Sequence, residues 1–263
     1  MIELSQLALA SALILVNIGF SIVLQLGLTR SLLVASTRMV IQLFLIGYIL
    51  EWLLSQRNPF LIVGMGLIMA SIAGFSAVDR TKRYFSGLYW NSLISILTSA
   101  AIITGFAVSG ILQIDPWYTP QYLIPLLGMV LGNALNGICL GVDRFLDNLV
   151  NQQEQIELLL TLGATRWEAA QESFQDALRT GMMPITNSMM VTGLVSLPGM
   201  MTGQILAGAN PVEAVRYQIV IMFMIAAAVA LGTLGIVSLA FFSLFSPEHR
   251  LHHDRILSRF EST

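Results

Sequence analysis

The chain has 263 residues, of which 56% are hydrophobic and only 11% charged, with a mean hydropathy of +0.76. A soluble domain carries about 25% charged residues, so too few are present here to coat a water-facing exterior, and a soluble enzyme is excluded. A net charge of −2 and a pI near 5.9 leave no basic surface for a phosphate backbone, which removes nucleic acid as a partner. Cys139 stands alone in an apolar run and cannot form an intrachain disulfide.

A helix needs about 20 mostly apolar residues to cross the hydrocarbon core. Seven segments qualify in chain order, near 4–28, 32–54, 60–78, 88–112, 121–141, 183–207 and 216–245. The start, Met1-Ile2-Glu3-Leu4, lacks the basic n-region of a cleaved signal peptide, so the first segment is read as a retained span. The segments are continuously apolar rather than alternating, and an open sheet cannot satisfy its backbone in lipid. The expected fold is an all-α polytopic bundle.

Orientation follows from the basic residues. Arg30, Arg38, Arg80, Lys82, Arg83, Arg144, Arg166, Arg179, Arg250, Arg255 and Arg259 fall on one side of the seven crossings; only Arg57 and Arg216 fall on the other. The richer side is expected to be cytoplasmic, giving an outside N-terminus and an inside C-terminus. Arg38 lies within a nominal span, so residues 30–40 are either interfacial or spanning. The outer connections are short, while 142–181 is a polar stretch within a single transmembrane domain, 1–263, that ends in a tail, 246–263.

The motifs that would give this chain its own energy source are missing. A P-loop needs Gly-x-x-x-x-Gly-Lys-Ser/Thr, and the sole lysine, Lys82, lies between Thr81 and Arg83. ATP-driven work must therefore come from another subunit, and no cofactor is expected on this chain. The sequence has no His-Glu-x-x-His, Gly-x-Ser-x-Gly or Cys-x-x-Cys either. Every acidic residue sits at or beyond a span end, which demotes an ion-coupled secondary transporter.

Within the polar stretch, residues 157–170 read as helix, turn, helix. Ile156, Leu159 and Leu160, then Trp167, Ala170, Phe174 and Ala177, fall at helical spacing. Gly163 sits where the first helix stops, and Thr165 with Glu168 three residues on forms a capping-box pattern for the second. Such a knob suits a groove on a partner; it equally suits an interfacial link between spans.

Glu157, then Gly163 six residues on, followed by a polar helix returning to a span, resembles the EAA-type coupling loop of ABC-transporter permeases. Leu158 and Leu159 stand where that motif has alanines, and Asp176 where it has proline. Longer runs, Leu127 to Gly137, Leu162 to Glu168, Ala177 to Pro184 and Ser196 to Gly208, are similar to the bacterial iron-export ABC permease family of the FetB type, whose plant relatives are linked to aluminium tolerance. The resemblance implies a permease of the bacterial plasma membrane that pairs with a separate ATP-binding subunit and exports metal, usually iron. It also implies two permease copies, and coupling through Glu157, Gly163, Ala164, Thr165, Arg166 and Trp167.

Two segments are candidates for the route. Gly128/Gly132 and Gly137/Gly141 are small-xxx-small pairs that permit close helix approach, and Asn133, Asn136 and Cys139 fall near one face. Buried asparagine in a span either faces a cavity or serves as interhelix hydrogen-bond glue. Met182, Met183, Met189, Met190, Met200 and Met201 are six of the chain's 13 methionines. Pro198-Gly199 is expected to break this helix, freeing carbonyls beside Thr202 and Gln204. Methionine is also an adaptable packing residue, and its thioether prefers soft ions such as Cu(I), whereas Fe(II) takes imidazole or carboxylate. The metal ligands are left unassigned. His249, His252 and His253 in the tail fit either a metal-sensing site or a solvated end.

The expectation is thus a metal-exporting ABC permease subunit, with an ion-coupled secondary transporter or a non-transporting membrane scaffold as the alternatives.

Overall fold

The computed structural model describes residues 4–56 and 58–259. Met1, Ile2, Glu3, Arg57 and the tail residues 260–263 lie outside them. The chain divides between Asn58 and Pro59 into two compact units.

The first unit holds α1 (Leu4–Val23) and α2 (Thr29–Gln56). The turn between them is built on Ser21, whose hydroxyl accepts from the Leu28 amide at 3.1 Å and from the Thr29 hydroxyl at 3.2 Å. Arg38 lies inside the unbroken α2. Its 28 residues reach roughly 42 Å, against about 30 Å for the hydrocarbon core, so its basic first turns can extend beyond the lipid without a separate interfacial helix.

The second unit contains α3 (Pro59–Arg80), α4 (Leu88–Phe106, prolonged by a π-helical turn Ala107–Ile111), α5 (Pro120–Asn151), α6 (Gln153–Thr161), α7 (Arg166–Val191), α8 (Gly199–Leu206) and α9 (Pro211–Leu244). Among the described residues, five helices are long and apolar enough to span a membrane: α2, α3, α4 with its π turn, α5 and α9. Leu9–Val23 of α1 is a shorter apolar helix. The chain is an all-α polytopic membrane protein.

Two segments differ from the sequence expectation. In the polar stretch 142–181 the helix-turn-helix is present as α6 and α7, but α5 runs on to Asn151, past the expected span end at 141. Hydropathy falls there because Asp143, Arg144, Asp147 and Asn148 enter the sequence, but Val142, Phe145, Leu146 and Leu149 keep one stripe buried, and the helix continues along it. The expected span 183–207 is not one helix. α7 stops at Val191, Gly193 adopts φ +90°, and Thr192 bridges to Ser196 before Pro198 caps α8 in an extended conformation. The break foreseen at Pro198 therefore occupies residues 192–198 and splits the apolar segment in two.

α5 packs against both α7 and α9, and glycine sets how closely. A Cβ on Gly181 would lie 2.7 Å from the Gly137 carbonyl and 2.6 Å from Thr233 Cγ2; one on Gly141 would lie 2.5 Å from the same methyl. The 137/141 pair thus makes a three-helix crossing. Gly132, from the other pair, has open space beside it.

Candidate functional site

One end of the second unit is tied by polar contacts. The Lys82 amide donates to Asp143 Oδ1 at 2.8 Å, Arg83 pairs with Asp147 at 2.8 Å, and Arg144 pairs with Asp176 at 2.6 Å. Asn148 also donates to Asp176 at 2.8 Å. The Asn148 hydrogen bond and then the Arg144 guanidinium hold the Asp176 carboxyl below the usual carboxylate range. The tail closes onto the same end. Strand β1 (Arg83–Tyr84) pairs antiparallel with β2 (Leu257–Ser258), the Arg259 amide donates to the Lys82 carbonyl, and its guanidinium donates to the Asp79 carbonyl at 2.7 Å.

The α6–α7 turn sits in this frame. Gly163 at φ +95° follows α6, its amide donating to Leu160 O and the Ala164 amide to Leu159 O, a Schellman closure. Thr165 then caps α7: its hydroxyl accepts from the Glu168 amide, and Glu168 Oε2 accepts from the Thr165 amide at 2.7 Å. The Thr165 amide and then the Thr165 hydroxyl, which donates to the same Oε2 at 2.8 Å, lower the Glu168 pKa. The capping box is the one the spacing implied.

The tail supplies what the sequence did not reveal. His249, itself at φ +60°, accepts the Arg166 amide on Nδ1 at 3.0 Å, so a residue 83 positions away caps the same helix. The Arg166 guanidinium lies 5.6 Å from the ring centres of Phe241 and Phe242. Trp167 meets Phe174 and Phe241 edge-on at 5.1 and 5.9 Å. The turn is thereby fixed to the last residues of α9, which makes it a rigid projection. Its outer side is uncovered: Leu158 is 58% and Leu162 76% exposed, and Glu157 is exposed, accepting from Gln153 Nε2 at 2.7 Å. Within 246–259 the tail is tied to the bundle by these contacts while most of its residues stay exposed or half-exposed, and His249, His252 and His253 form no metal-holding group. No group of three or more His, Cys, Asp or Glu able to hold a metal occurs among the described residues.

The structure separates the expected route residues into two places. Asn133 spends its amide on its own helix, donating to the Met129 carbonyl at 2.8 Å. Asn136 is exposed and accepts from Arg80 at 3.1 Å, so a guanidinium, which sequence reasoning did not connect with it, stands at that face. Thr233, which fills the glycine crossing, has a buried hydroxyl with no hydrogen-bond partner. Pro198 and Met201 line a cavity of about 580 Å³ between the end of α7, the break, α8 and α9. Met200, Thr202 and Gln204 are half-buried nearby on α8, with the Thr202 hydroxyl donating to the Pro198 carbonyl at 3.1 Å. Met183 and Met190 are 55% and 70% exposed, so these methionines are not core filler. Missed by sequence reasoning were Met222 and Gln218, which line the cavity too. A lone amide within the apolar run of α9 was the available signal.

Residues 4–245 match an uncharacterised protein family, UPF0014. A UPF0014 membrane protein of Synechocystis sp. is 39% identical over 86% of this chain and 87% of its own length. The Escherichia coli protein named "Probable iron export permease protein FetB" is 33% identical over 93% of both chains. The Arabidopsis thaliana protein ALUMINUM SENSITIVE 3 is 33% identical over 93% of this chain and 88% of its own. No solved structure matches significantly.

Proposed function

The chain belongs to the UPF0014 family of membrane proteins, and from that premise we propose that it is the permease subunit of an ABC transporter exporting a metal cation. Its likeness over 93% of its length to a protein named as an iron export permease supports a membrane transporter and makes iron the first cargo to test. ATP is hydrolysed by a separate ATP-binding subunit. The observation that carries this division of labour is the α6–α7 turn, an apolar projection built rigidly onto α5, α7 and α9 with its outer face uncovered. Leu158 and Leu162 insert into a groove of the ATP-binding subunit, and Gly163, Ala164, Thr165, Arg166 and Trp167 pass its motion to α7.

The basic end is cytoplasmic, in the bacterial plasma membrane, and two copies of the chain form the transport unit. The cargo leaves along the faces of Asn133 and Asn136 and past the 192–198 break. Because Arg80 is bonded to Asn136, cation passage requires that guanidinium to swing aside. The test is ATP-dependent uptake of iron, copper, zinc and manganese into inverted vesicles holding this chain, with and without a P-loop subunit from the same genome. Uptake that needs both subunits and ATP is expected. Uptake by this chain alone under an ion gradient would instead establish a secondary transporter.

A further inference from the structure

The cavity at the break has a donor set that its packing does not explain. Met189, Met201 and Met222 line it, one from each of the three helices that enclose it, and none of its lining side chains is charged. Gln218, on the same wall, is only 6% exposed, and its Oε1 is buried without a hydrogen-bond partner. Methionine alone would read as an adaptable gap filler. Filling a gap, however, gives no reason to leave the buried Gln218 Oε1 unpaired on a wall that three thioether side chains also line, because an unmet buried acceptor is costly unless something satisfies it. A second cavity, of about 590 Å³ between α3, α4 and α5, has no sulfur donor at all.

We propose that this cavity is a binding site for a soft monovalent metal cation of the Cu(I) class, held by the thioethers of Met189, Met201 and Met222 and the amide oxygen of Gln218. Thioethers select soft ions, whereas Fe(II) prefers the imidazole and carboxylate groups that this wall lacks. Charge points the same way: neutral donors leave the ion's charge uncompensated, so a single positive charge is the least costly to bring out of water. The volume exceeds one ion, but unbranched methionine side chains with three rotatable bonds can close around it. Gln218 lies seven residues into α9, roughly 10 Å from its start at the rise of a helix, close to the end opposite the ATPase-facing turn. The role of the site in export rests on the transport reading above; the binding itself does not.

The experiment titrates the full chain, purified in detergent with Cys139→Ser to remove the thiol, with Ag(I) as a redox-inert probe and with Fe(II). One tight Ag(I) per chain with sulfur-only heavy scattering by X-ray absorption is expected, and at least hundredfold weaker Fe(II). Met201→Leu, Met222→Leu and Gln218→Leu should each weaken Ag(I) at least tenfold with unchanged thermal midpoints, while Met39→Leu on α2 changes nothing. Ag(I) binding indifferent to all three changes, equal Fe(II) affinity, or a cavity occupied by a co-purified lipid that Ag(I) does not displace would overturn the proposal. If Ag(I) binding fails in one of these ways yet ATP-dependent uptake of iron proceeds, the site falls and the export reading stands. Ag(I) bound as described without any ATP-driven transport has the opposite meaning.

Discussion

The two ends of the second unit are built by different rules. At the basic end Asp143, Asp147 and Asp176 all accept hydrogen bonds from beyond their own helices, α7 is capped twice, by Thr165 and by His249, and aromatic rings clamp the turn. At the other end, α7 stops without a charged cap, Leu194 and Val195 are 92% and 83% exposed, and the buried Gln218 Oε1 is left unpaired beside a cavity. A rigid end suits the transmission of force, and an open end whose polar needs are unmet suits a cargo. On the proposed function, the close-packed glycine crossing of α5, α7 and α9 between them is the fulcrum through which one end acts on the other.

Breaking the fulcrum should have the largest effect. Gly181→Ala puts a methyl against a backbone carbonyl that cannot rotate away, and overpacking of this kind costs about 1–3 kcal/mol. Thermal unfolding in detergent should show that loss, while Gly132→Ala, with open space around it, leaves the midpoint at or slightly above wild type. At the rigid end, Thr165→Ala removes an N-cap worth about 1 kcal/mol; the same melts, with ATPase stimulation as second readout, should show a modest loss of stability and weakened coupling. His249→Ala should weaken coupling in the same way, whereas His249→Asn, which keeps an acceptor on a short side chain, should recover part of it. The smallest effect belongs to Asp176. A depressed carboxyl pKa gives stability that is complete above its unfolded value of about 3.9 and lost as the pH falls through the folded value. Solvent screening keeps this to at most about 1 kcal/mol. Acid unfolding of Asp176→Asn should lack that low-pH component.

Local signals were legible in the sequence, and distant ones were not. Gly163, Thr165 and Glu168 act within one turn of each other, so their spacing alone disclosed the cap. The 137/141 glycine pair was equally visible, but only the fold reveals that Gly181 and Thr233 complete its crossing. Hydropathy ended the fifth helix near 141 rather than at Asn151 because averaging over a window hides a helix with one buried stripe, and it joined α7 to α8 because apolarity does not distinguish a span from a broken one. Arg80 on Asn136 and His249 on Arg166 link residues 56 and 83 positions apart, a separation over which composition carries no information.

The central claim is that the α6–α7 turn, and no other exposed apolar surface, meets the ATP-binding subunit. It is tested most directly by cysteine crosslinking in a Cys139→Ser background, comparing Leu162→Cys at the turn with Leu194→Cys at the break, in membranes containing the P-loop subunit that supports uptake. The account predicts a crosslink to that subunit from position 162, altered in yield by ATP, and none from 194. A crosslink from 194, or none from 162 while the two subunits still co-purify, would contradict it.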